Sequence, residues 1–107
     1  MNKHQSCIEA CLRCMAACTD CAASCLREED VKMMAACIRL DMECATICEA
    51  CAKLMGMQGG QVVQMCGICA EACQACADEC EKHDEAHCRE CARACRACAE
   101  ECRKMAA

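Results

Sequence analysis

The chain carries its apolar and polar positions in a helical rhythm. Cys11, Cys14, Cys18, Cys21 and Cys25 follow one another at steps of 3, 4, 3 and 4. Cys66, Cys69, Cys73, Cys76 and Cys80 repeat the run, as do Cys88, Cys91, Cys95, Cys98 and Cys102. A fourth copy reads Asp41, Cys44, Cys48, Cys51, Met55, with both end positions substituted. Cys7 and Cys37 each stand one helical step ahead of a copy. This spacing marks the buried stripe of an amphipathic helix, where Leu or Ile ordinarily sits. Here the stripe is made of thiols.

The pattern predicts four helices, over about 3–26, 30–55, 61–82 and 85–104. Asn2 with Gln5 reads as a capping box at the first, and Asp30 as the N-cap of the second. The cluster Gly56-Met57-Gln58-Gly59-Gly60 reads as a loop. His83-Asp84-Glu85-Ala86 holds neither Gly nor Pro, so propensity alone would permit one continuous helix there. That helix would expose its thiol seam, and Asp84 can cap a new one, so a tight turn is expected. Short connections make neighbours antiparallel. The fold class is therefore all-α: an up-down-up-down four-helix bundle with a thiol-lined core, a single domain over 1–107. A second stripe flanks the seam, with Ile8, Leu12, Met15, Ala22 and Leu26 on helix 1 and Leu40, Ile47 and Leu54 on helix 2. It serves either helix packing or an oligomer surface.

Composition sharpens this picture. There is no Trp, Tyr, Phe or Pro among 107 residues. The core must be built from small side chains, and a reduced buried Cys behaves as a small hydrophobe. Net charge is −5, with no basic stripe and no aromatic to stack on a base, which argues against nucleic-acid binding. No apolar run approaches the ~20 residues of a membrane span. The opening Met-Asn-Lys-His-Gln-Ser-Cys has no apolar h-region, so a cytoplasmic location is expected. Thiols in a reducing compartment are free or metal-bound.

The thiols admit several chemistries. Disulfide scaffolds are loop-rich, and a bridge between consecutive turns of one helix closes only a tiny loop. A ferredoxin-type iron–sulfur run requires a terminal proline, which this chain lacks. Zinc sites take two to four thiolates. Twenty thiolates carry −20, and five Zn²⁺ ions with four thiolates each would leave about −10 in an apolar core. A monovalent soft ion matches thiolates one to one, and thiolate and thioether ligands select Cu(I). Residues at i,i+3 and i,i+4 share a helix face, so each C-x2-C or C-x3-C step is a candidate two-sulfur clamp, with a third sulfur from a facing helix. About one Cu(I) per cysteine is expected on charge balance.

Four thiol-lined helices with these steps, from Cys7 to Cys102, resemble the bacterial copper storage proteins. The resemblance implies a four-helix bundle whose cysteines bind many Cu(I) ions, of the cytosolic kind, assembled as a homo-tetramer. It implies copper ions as partners, with copper chaperones or small thiol ligands as donors and acceptors. Asp41 and Met55 interrupt the frame, and a local change of coordination is expected there.

The remaining candidate ligands cluster at the bundle ends. One end gathers Asp30, Met33, Met34, His83, Asp84 and His87, and His83 and His87 are assigned to a copper entrance. The stretch from His83 to His87 is not a zinc-protease motif, because its Glu falls one place late. The other end, with His4, Leu54, Met55, Met57, Val62, Val63, Met65 and Met105, reads as an apolar plug or a weak methionine funnel. The off-seam charges, such as Arg89, Glu90 and Arg93, form a solvated face. The reading is a cytosolic store for Cu(I), without catalysis. Rivals are a thiol redox sensor, a zinc or heavy-metal buffer, and a di-iron enzyme, which would need core Glu and E-x-x-H pairs that the seams do not offer.

Overall fold

Small side chains, with no Pro and no β-branched run, leave helix as the cheapest backbone state over most of the chain. A computed structural model describes residues 2–106. The two end residues of the expected domain, Met1 and Ala107, lie outside it. Helix α1 runs Gln5–Cys25, α2 Ala35–Gly56, α3 Val62–Cys80 and α4 Ala86–Ala106, with a 3-10 turn at Val31–Met34. Each helix packs chiefly on two neighbours, in the cyclic order α1, α2, α3, α4. Cross-helix sulfur pairs fix the directions. Cys7 near the start of α1 meets Cys102 near the end of α4, and Cys25 meets Cys88. Cys37 meets Cys80, and Cys51 meets Cys66. These two pairs are antiparallel, and the short connections turn α2 back along α1 and α4 back along α3, in a rod of 44 × 19 × 18 Å.

The helix ends depart from the sequence expectations in five places. Asn2 and Gln5 form no capping box. The Asn2 side chain accepts the His4 backbone N–H at 2.8 Å, and Gln5 Nε2 donates forward to Glu9. Asp30 caps nothing with its side chain. Its carbonyl accepts the Met33 N–H, which winds the 3-10 turn, so the α-helix proper starts five residues late, at Ala35. Helix α3 stops at Cys80 and α4 continues to Ala106. The tight turn between them forms as expected, and Glu85, not Asp84, supplies the first helical carbonyl, to Cys88 and Arg89. Arg96 spans from α4 to Asp78 at 2.8 Å and Glu81 at 2.5 Å, pinning that turn from outside.

Helix α2 ends in a Schellman motif. Gly59 N–H reaches the Leu54 carbonyl and Gln58 N–H the Met55 carbonyl, both at 3.0 Å. The left-handed residue is Gln58, with φ 54°, although glycines flank it.

The flanking stripe divides. Ile8, Met15, Leu40 and Ile47 pack against the core edge, and Ala22 is buried. Leu12 and Leu26 remain exposed.

Candidate metal centre

All twenty cysteines point inward as free thiols, and the most exposed, Cys7, shows 2% of its surface. The seam spacing does this, because each 3-4 step returns the side chain to one helix face. Ala10, Ala52, Ala70, Ala77, Ala92 and Ala99 fill the contacts beside the seams and let the helices approach closely. The approach is close enough for diagonal partners to meet. Cys14 of α1 lies 3.8 Å from Cys73 of α3, and Cys48 of α2 lies 4.0 Å from Cys98 of α4.

Within one helix, the thiol contacts are of the C-x3-C kind. Cys14–Cys18, Cys21–Cys25, Cys44–Cys48 and Cys91–Cys95 are each 3.9 Å apart, and Cys69–Cys73 and Cys98–Cys102 4.0 Å. Among the described residues no C-x2-C pair makes such a contact. Rungs between helices join these contacts: Cys11–Cys98, Cys18–Cys91 and Cys18–Cys95 at 3.6 Å, Cys48–Cys69 and Cys51–Cys66 at 3.7 Å.

These contacts build overlapping four-donor groups. Cys14, Cys44, Cys48 and Cys73 form one; Cys14, Cys18, Cys44 and Cys95 the next; Cys18, Cys76, Cys91 and Cys95 a third. Cys11, Cys51, Cys69 and Cys102 form a further group toward the α1 start. In each, the donor atoms all lie within 4.8 Å of one another. Shared members such as Cys14 and Cys18 can bridge two ions.

At the opposite end, Cys21, Cys25 and Cys88 form a group with His87. His87 Nδ1 stands 3.6 Å from Cys21, 3.6 Å from Cys88 and 3.8 Å from Cys25. Its Nε2 pairs with Glu28 at 3.0 Å. A carboxylate on the far nitrogen fixes the ring's orientation and raises its basicity as a ligand. His83 is placed differently. Its Nε2 pairs with Glu79 at 3.0 Å, and among the described residues it bonds no thiol. It lines a largely acidic cleft with Glu28, Asp30, Met33, Met34, Lys82 and Asp84, and Glu28 links that cleft to His87.

Asp41 is fully buried inside the column, toward its His87 end. Its Oδ1 accepts from Cys76 at 3.1 Å, Cys91 at 3.2 Å and Cys80 at 3.6 Å, and Oδ2 accepts from Cys37 at 3.7 Å. Burial lifts its carboxyl to about 8, and the Cys91 sulfur adds to the lift. Burial likewise pushes the Cys25 thiol up to about 12 and raises Cys66 and Cys88, with neighbouring sulfurs contributing. The apo core is therefore held protonated there, and a soft cation must displace those protons.

Buried thiols in overlapping four-donor groups, capped by an oriented imidazole, define a bundle protein built to bind soft metal ions. A family model described as Csp, copper storage protein, matches residues 1–107, and the chain belongs to that family. It is 48% identical over 85 residues, 79% of either chain, to the uncharacterized cysteine-rich protein YhjQ of Bacillus subtilis (strain 168). Its fold matches Cu(I)-bound copper storage protein BsCsp3 with a TM-score of 0.93 at 48% identity, over 96% of this chain and 97% of that one. A cytosolic copper storage protein from Streptomyces lividans, in a structure with five coppers, matches with a TM-score of 0.93 at 42% identity, over 96% and 91%.

Proposed function

We propose that the whole chain acts as one store for Cu(I), loaded through the mouth at His87 and held by the thiolates of the twenty seam cysteines. The overlap of the four-donor groups carries this reading. Independent sites would each need their own thiols, whereas shared thiols suit a packed array of monovalent ions. One Cu(I) for each thiolate leaves the buried core near neutral, and burying unpaired charge is costly. His87 takes the ion from the acidic mouth and passes it to Cys21, Cys25 and Cys88. His83 stands in the mouth and guides the ion without a thiol partner.

The location is cytoplasmic, in keeping with the Streptomyces relative. Copper chaperones or small thiols act as donors and acceptors, and the assembly is a homo-tetramer. The chain performs no catalysis, since its donors serve only to hold metal. A redox sensor needs a partly exposed low-pKa thiol, and these thiols are shielded from any oxidant at the surface.

Anaerobic titration of the reduced apo protein with Cu(I), against a Cu(I)-specific chelator and read by native mass spectrometry, tests the reading. About one tightly held ion per thiol is expected on charge balance. A handful of easily stripped ions, or Zn²⁺ that survives weak chelators, would overturn it.

A further inference from the structure

The α1 seam does not stop at Cys7. His4 lies three residues earlier and continues the 3-4 spacing. It is 8% exposed, at the end of the bundle remote from His87. Its Nδ1 is buried and has no hydrogen-bond partner among the described residues. Buried polar atoms in folded proteins are almost always paired, so an orphan of this kind points to a missing partner.

Asn2 ties His4 to the end of α2, and that end carries soft donors. Met55 occupies the last seam position of α2 and is fully buried. The Cys66 sulfur lies 4.0 Å from its Sδ. The Asn2 side chain ties His4 to Met55: it accepts the His4 N–H at 2.8 Å and donates to the Met55 carbonyl at 2.9 Å. A clasp that spends both ends of one amide on these two residues holds the start of α1 against the end of α2. An apolar plug would need neither an imidazole nor a thioether at its buried positions.

We propose that this end is a second, separate Cu(I) site, formed by His4 Nδ1, Met55 Sδ and the Cys66 thiolate. It rests on the storage reading and adds to the thiol array a site with two neutral donors. The Cys66 thiol loses its proton to solvent as Cu(I) binds, so the ion and the thiolate cancel in charge. Imidazole and thioether add no charge. Cu(I) accepts such a three-donor set readily, and neutral donors hold it less tightly than bridging thiolates do. This ion is the last to load and the first to leave.

Reduced protein labelled with ¹³C and ¹⁵N is titrated with Cu(I) alone, and the histidine ring nitrogens are followed, with His4 assigned in the wild type by through-bond correlation to its backbone. The His4 Nδ1 resonance should move only in the final equivalents, and His4→Phe should saturate with one ion fewer by native mass spectrometry. A His4 ring that stays unmoved at saturation, with equal ion counts in wild type and variant, would overturn the site. The wild-type spectrum decides even where the variant folds poorly. The thiolate-to-copper absorption band separates the two readings. A strong band with a silent His4 strikes this site alone, whereas a wild type with no band strikes the storage reading.

Discussion

The Asp41 carboxyl and the Cys76 thiol face each other at 3.1 Å inside the column, toward its His87 end, with Cys91 on the same oxygen. Among the described residues this is the one buried acid beside the thiols, and burial has moved it from an ordinary 3.8 to about 8. The folded chain keeps a proton there that the unfolded chain releases near pH 4. Stability from this group is complete below about pH 4 and drains away as pH climbs through about 8. The loss is on the order of a few kcal/mol, at about 1.4 kcal/mol per pKa unit. Urea denaturation of the apo protein between pH 4 and 8 should show this slope, and Asp41→Asn should flatten it. An unchanged slope in Asp41→Asn would place the titration elsewhere.

Glu28 holds the ring that meets Cys21, Cys25 and Cys88. Losing an orienting partner of this kind costs about 10–100-fold in metal affinity. Glu28→Gln should slow Cu(I) uptake by about 10-fold on that basis, and His87→Ala more, with total capacity preserved. Stopped-flow absorbance of the thiolate–copper band gives the rates. Equal rates for both variants and wild type would move the entrance away from His87.

Gln58 carries a left-handed backbone, φ 54°, that favours glycine. Gln58→Gly should stabilise the apo protein by about 1 kcal/mol, since an L side chain pays about 1–2 kcal/mol there and glycine returns part of that as entropy. Chemical denaturation measures it, and a loss of stability would mean that the Gln58 side chain matters more than its backbone.

Metal is not needed to form the helices, because reduced thiols already pack as small hydrophobes. Circular dichroism of the reduced, chelator-treated protein should be strongly helical. Cu(I) should then raise the melting temperature without adding helix, as for any ligand that binds only the native state. A random-coil apo spectrum would refute this.

Much of this was readable in the order of residues. The seam positions, the four helices and the inward thiols follow from period alone, since a 3-4 repeat can bury only one face. The family followed from the same positions. What the sequence concealed depends on groups distant along the chain. Glu28 looks like one more surface acid until α4 brings His87 beside it. Asp41 looked like an interruption, and its four thiol partners come from three helices. The late start of α2 turns on whether Asp30 offers its side chain or its carbonyl, which composition cannot decide. His4 did leave a signal: it sits on the seam frame, one step ahead of Cys7.

The sharing of Cys14, Cys44, Cys18 and Cys95 between successive donor groups has a consequence for traffic. An ion need not find its own door, because it can migrate along the rod by trading one sulfur at a time. The store then behaves as a single-file queue. A queue is vulnerable where a bulk cluster is not. Loss of one shared donor at mid-length, such as Cys18, which serves two successive groups, would break the file and leave the ions beyond it only the His4 end as a way out.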